Sequence, residues 1–154
     1  MKKFLFAAAI VGSLAVTTPA HAGGVALCIE TGRSAPNNGQ NSDDKQYFLL
    51  SSRTTDGYNL QLEAREAFRA GRDGGSNSPT AACHNSGRYT EHGEFVVIQG
   101  GRTRDYQDAP YTRWALGSGS NRSEAIAQAI RQLRMRDGGW QERHGYSVVE
   151  SGSF

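Results

Sequence analysis

Apolar and polar positions alternate along this chain in two similar series. An apolar run into isoleucine, then Glu or Gln, then Gly-Arg, occurs at residues 27–33 and again at 96–102. Each reads as a strand that ends in a glycine turn. After a polar segment, each is followed by a second short strand, at 47–50 and 113–116. Next comes a helical spacing: Leu60, Ala64, Ala67 and Phe68 in the first series, Ile126, Ala129, Ile130 and Leu133 in the second. Asn59 and Asn121 stand at N-cap positions, and Glu124 lies where a capping box places its acid. Both helices run into Arg-Asp-Gly-Gly, at 72–75 and 136–139, where glycine suits a left-handed helix end.

The order is therefore ββα-ββα-β, with a last strand at 146–150. This predicts a single α+β domain over residues 23–154, an antiparallel or mixed sheet covered by two helices. The echo between residues 24–75 and 93–139 suggests internal duplication. In the second strand, Tyr47 and Leu49 oppose Phe48 and Leu50. Both of its faces must then be covered, which predicts a central place in the sheet. Segments 34–44, 73–82 and 102–110 are rich in Gly, Asn, Ser and Asp and read as exposed loops.

The N-terminus departs from this pattern. Lys2 and Lys3 precede an apolar run from Phe4 to Val16, and Ala20, His21 and Ala22 form a small-x-small cleavage site. The run is too short to span a bilayer, so residues 1–22 read as a bacterial signal peptide cut after Ala22. A periplasmic or secreted protein of about 130 residues follows, large enough for one core. Without Lys2 and Lys3, the 17 basic residues fall to 15, equal to the 15 acidic ones. That balance argues against a nucleic-acid partner. Apart from Lys45, every remaining basic residue is Arg, a bias that either a recognition surface or genomic base composition produces.

Cys28 and Cys83 are the only cysteines. In an oxidising compartment they are expected to pair, and closing so long a loop stabilises a chain by about 4 kcal/mol in the entropic model. No cofactor motif is present, and His84, His92 and His144 lack metal-ligand spacing. There is no G-x-S-x-G elbow. The turn Gly117, Ser118, Gly119, Ser120, Asn121 with Arg122 would either cradle an anion or simply cap the second helix. Trp114 reads as core, and Trp140, beside Gly139 in a polar turn, as core or as an exposed anchor.

Residues 91–104, Glu-His-Gly-Glu-Phe-Val-Val-Ile-Gln-Gly-Gly-Arg-Thr-Arg, resemble the Glu-bearing strand and Arg-containing turn of small secreted microbial ribonucleases. The resemblance implies Glu94 as general base, Arg102 or Arg104 as phosphate clamp and His144 as general acid. It covers 14 residues, and the family has further strands where this chain carries its second helix.

The reading preferred from composition is different: an exported, non-enzymatic binding protein, such as an inhibitor or immunity-type partner of a secreted enzyme. Its partner would be another exported protein, met through loop residues of the types that anchor interfaces, namely Trp140, Tyr106, Tyr111 and Arg122. An envelope structural or stress-related module is a further alternative.

Overall fold

The computed structural model describes residues 23–31, 44–70, 81–86, 93–104, 108 and 110–154. Residues 1–22, which the sequence reads as a signal peptide, lie outside the described residues, as do Tyr106, His92, the first Arg-Asp-Gly-Gly and most of the three loop segments. Among the described residues, eight strands and two α-helices occur in the order β1 Gly24–Thr31, β2 Asp44–Ser52, α1 Gly57–Ala70, β3 Ala81–Ser86, β4 Glu94–Gly100, β5 Thr103–Arg104, β6 Pro110–Tyr111, β7 Trp114–Gly119, α2 Arg122–Arg136 and β8 Tyr146–Ser153. A 3₁₀ turn, Glu142–His144, precedes β8.

The α+β class stands, in one small domain, but one sheet becomes three, all antiparallel. Their orders are β2-β1-β3, β7-β4-β8 and the two-stranded β5-β6. The stretch around Cys83, which lacks alternation, forms a strand because it pairs with β1, Cys28 opposite Cys83. Each half therefore reads ββαβ, with its first strand in the centre, and the last strand completes the second half.

Sequence periodicity explains the layering. β1 is apolar on both sides, and Val25 to Ile29 are fully buried. Val25, Leu27 and Ile29 meet Phe95, Val97, Leu116 and Phe154 between the two large sheets. Ala26 and Cys28 turn the other way, onto Leu60, Ala64 and Phe68 of α1. In the second half, Val96, Ile98 and Ala115 pack on Ala125, Ala129 and Leu133 of α2. The molecule is thus helix, sheet, sheet, helix, with three apolar interfaces.

This corrects the place of β2. It is an edge strand, yet both its faces are covered: Tyr47 and Leu49 lie against the inter-sheet core, and Phe48 and Leu50 against the α1 core. It also corrects the register of the echo. Leu27 and Ile29 face the other sheet, whereas Val96 and Ile98 face a helix, so the alignment at 27–33 and 96–102 is one residue out. A one-residue slip exchanges the faces of a strand. By facing, Leu27 corresponds to Val97 and Tyr47 to Trp114. The rings of Tyr47 and Trp114 meet edge to face at 5.1 Å across the two halves.

The helix ends differ in part from expectation. Asp56 caps α1, its Oδ1 accepting the N–H groups of Tyr58 and Asn59 at 2.9 and 3.0 Å, so Asn59 lies inside the helix. Asn121 does cap α2, accepting the Glu124 N–H at 3.0 Å. At the other end, Asp137 N–H bonds Leu133 O at 2.8 Å, and neither Gly138 nor Gly139 is left-handed. Gly117 is required for another reason: a Cβ there would lie 2.1 Å from Ala125 O. Its absence lets α2 rest directly on β7.

One buried charge joins the halves. Asp44, which opens β2, is 6% exposed. Its carboxylate accepts Arg113 Nη1 at 3.1 Å, Arg136 Nη1 at 3.2 Å, the Trp114 N–H at 2.8 Å and Thr31 Oγ1 at 2.7 Å. Arg136 also donates to Trp114 O. The second clamp is Asp137, which accepts Tyr111 OH at 2.6 Å and Thr103 Oγ1 at 3.0 Å and so fastens the β5–β6 hairpin to the end of α2.

Asp44→Ala leaves two guanidinium groups without their carboxylate. It is expected to lower the unfolding free energy by about 3–5 kcal/mol, read by urea titration. Replacing both members of the Cys28–Cys83 disulfide, which closes a separation of 55 residues, is expected to cost about 4 kcal/mol by the same measurement.

Candidate functional site

The residues singled out from sequence separate into three places. Trp140 and Tyr111 are each 3% exposed and are structural. Trp140 packs in the α2 core, and its Nε1 donates to Gly145 O at 2.9 Å. Tyr111 gives its hydroxyl to Asp137; burial, reinforced by that carboxylate, raises its pKa above the usual tyrosine value. Neither presents its ring as an anchor, because each polar tip finds its partner inside the fold. Tyr106 lies outside the described residues.

Glu94 and His144 stand at opposite ends of β4. Glu94 pairs with Ser153 and Gly100 with Tyr146, and the His144 carbonyl abuts Gly101. Six strand steps separate the ends, roughly 20 Å. An acid–base pair acting on one substrate needs both groups within hydrogen-bond reach of it, and the structure does not bring these two together. His144 Nδ1 accepts the Gln141 N–H at 2.9 Å and closes the 3₁₀ turn. Arg102 is exposed at the His144 end, and Arg104 pairs with Asp108 at 3.0 Å on the surface of the hairpin.

The Gly117–Asn121 turn resolves towards capping. Ser118 N–H goes to Gln128 Oε1, and Ser120 N–H goes to Glu124 Oε2 at 3.0 Å. The Glu124 carboxylate thus occupies the donors an anion would use. Those bonds from Ser120 hold its pKa below the ordinary glutamate value.

What remains is a surface that the sequence did not single out as a unit, built on β8. All eight β8 residues are exposed, including Tyr146 at 42%, Val148 at 36% and Val149 at 41%. The cause is the placement of α2. Gln128 bonds to Ser118 and Arg136 to Trp114, which ties the helix over β7. The outer edge of the sheet is left bare. The β4–β8 register shifts between Val97 and Ile98, leaving Val149 as an extra residue. Tyr146 and Val148 sit opposite Gly100 and Ile98, on the same side of the sheet as α2. Arg122 rims the same surface, its Nη1 3.1 Å from Ser151 Oγ. Glu150 turns inward and accepts Tyr47 OH at 2.9 Å.

At the Ser153 end this edge opens into a cleft of about 380 Å³ lined by Arg53, Gly93, Glu94, Ser120, Ser153 and Phe154. The β2 end, the β4 start, the α2 cap and the β8 end all meet there. Among the described residues, no three of His, Cys, Asp and Glu gather to hold a metal ion, and no helix is long and apolar enough to cross a membrane. No protein-family model matches the chain, and neither a curated protein nor a solved structure matches it.

His84 lies across from Leu27, on the inter-sheet side, with its Nε2 buried and unpartnered. Burial lowers its pKa below 6.5, and the positive charge of Arg136 lowers it further, against the opposing pull of Asp44. The unfolded chain therefore takes up this proton first as the pH falls. The stability contributed by neutral His84 is complete above about pH 6.5 and is lost on acidification through the depressed folded-state value. The urea midpoint is expected to fall more between pH 7.5 and 5 in the unmodified protein than in His84→Gln.

Proposed function

We propose that this chain is an exported, non-enzymatic protein-binding module, an inhibitor or immunity-type partner of a secreted enzyme, that engages its partner along β8. The observation that carries the reading is the bare edge strand, eight exposed residues long with three large apolar side chains. Edge strands in free-standing proteins are usually blunted by Lys, Pro or a covering element, because their unpaired N–H and C=O groups invite another strand. β8 contains no Lys and no Pro, and its single charge, Glu150, is engaged with Tyr47. The bulge at Val149 is the one such device it carries.

Strand addition suits such an edge: backbone hydrogen bonds supply affinity, and alternate side chains supply choice. Arg122, at the margin, is the type of residue that contributes to interface hot spots. The dispersal of Glu94, Arg102, Arg104 and His144 supports binding over phosphodiester cleavage. The Cys28–Cys83 disulfide is compatible with export, for which the signal-like residues 1–22 would be responsible.

Val148→Glu places a charge in the centre of this edge at a cost to the fold of about 1 kcal/mol or less. With the tagged protein cross-linked in the periplasmic or culture fraction, the unmodified form is expected to retain one defined exported protein, and Val148→Glu to lose it at an unchanged far-ultraviolet spectrum. Failure to recover any partner, or equal recovery by the variant, overturns the reading.

A further inference from the structure

The cleft at the end of β8 has a chemistry of its own. Many described charges on the surface have partners, among them Arg104 with Asp108, Arg134 with Glu142 and Glu150 with Tyr47. Others, such as Glu63, Arg65 and Arg131, form no ion pair with another described residue and stand apart on the helices; Arg53 and Glu94 are distinguished by their position. They line one cleft, carry opposite charges and form no ion pair with each other or with any other described residue. Arg53 follows β2 and Glu94 opens β4, so the two sheets hold them apart at the mouth of the space between them.

The remaining lining is polarised to match. The Ser120 hydroxyl gives its proton to Glu124 Oε2 at 2.7 Å and accepts Asn121 Nδ2 at 3.3 Å, which leaves its oxygen one further acceptor position in the cleft that Glu94 also lines. The acceptors Glu94 and Ser120 Oγ suit an ammonium group, and the Arg53 fork suits a carboxylate. Phe154 lies beneath, with Gly93 against it: a Cβ at Gly93 would come 2.5 Å from the Phe154 ring. A single Arg opposed by a carboxylate disfavours polyanions. A volume of about 380 Å³ is at the lower end of the range for ligand sites and fits a molecule of one or two residues.

We propose that this cleft binds a small zwitterion bearing a free α-ammonium and a free α-carboxylate, the carboxylate on Arg53 and the ammonium on Glu94 and Ser120. The site adjoins the strand edge that would meet a protein partner, sharing Ser153 with it, but its charged groups, Arg53 and Glu94, lie off that strand, so the proposal does not depend on a partner. Either a free amino acid or a short peptide presents this chemistry.

The test is a titration of the unmodified protein, followed by amide shifts of Gly93, Ser120 and Ser153, with alanyl-phenylalanine, its N-acetyl form, its C-terminal amide, and phenylalanine alone. The dipeptide is expected to move these amides, and each blocked form to bind about tenfold more weakly or worse, as loss of one charge-assisted hydrogen bond implies. Arg53→Gln is expected to abolish the preference for the free carboxylate only, and Glu94→Gln the preference for the free ammonium only. Both residues lie on the surface of the cleft, so each variant's spectrum elsewhere reports whether it is folded. Binding of phenylalanine as tight as that of the dipeptide assigns the site to free amino acids, and weaker binding assigns it to peptides. Blocked and free dipeptides binding alike, variants that keep both preferences, or no shift at tens of millimolar dipeptide overturns the proposal.

Discussion

Both central strands, β1 and β4, are buried on two faces at once, and this constraint organises the rest of the molecule. A strand with one wet face needs one apolar set. A strand between another sheet and a helix needs two, and β1 supplies them as Val25, Leu27 and Ile29 on one side and Ala26 and Cys28 on the other. Burial at roughly 25 cal/mol per Å² of apolar surface makes these layers the main source of stability. Small residues are used where a helix must come close, at Ala26, Ala64, Gly117, Ala125 and Ala129. Large ones fill the wider gap between the sheets.

The buried carboxylates join elements that the apolar layers leave independent. Asp44 is reached from β7 and from the end of α2, so one carboxylate sets the second half against the start of β2. A buried ion pair contributes little net energy compared with an apolar replacement, but breaking one side of it is costly. Here it ties the start of β2 to β7 and to the end of α2 through directional bonds, which apolar contact does not supply. Asp137 does the same on a smaller scale for the hairpin. Around Asp44, the Nε of Arg113, the Nε1 of Trp114 and the Nε2 of His84 remain buried without partners. The cost of leaving such groups unpaired is about 1–3 kcal/mol each.

The α+β class, both helices and the disulfide partners were legible from periodicity and from the count of two cysteines. What escaped the sequence was set by contacts distant in the chain. β3 has no alternating pattern, because its centre is the disulfide and its neighbours are small or polar; only pairing with β1 makes it a strand. The face of each central strand was ambiguous because both faces are apolar, so the alignment drawn from sequence matched residues that face opposite ways. At the site, Trp140 and Tyr111 drew attention as loop aromatics of the type that anchors interfaces, and the fold turns both rings inside, where Gly145 O and Asp137 receive their polar tips. The clue to β8 was present in Tyr146, Val148 and Val149, but its exposure follows from where α2 is anchored, which no local pattern reports.

The two halves share one large apolar boundary, and each presents to the other a sheet face that has no second cover. If the backbone were cut in the segment that links β3 to β4, neither fragment could shelter that face alone, and their best match would be each other. The domain is in that sense an obligate dimer written as one polypeptide. Joining the two lobes in one chain raises the local concentration of each around its mate.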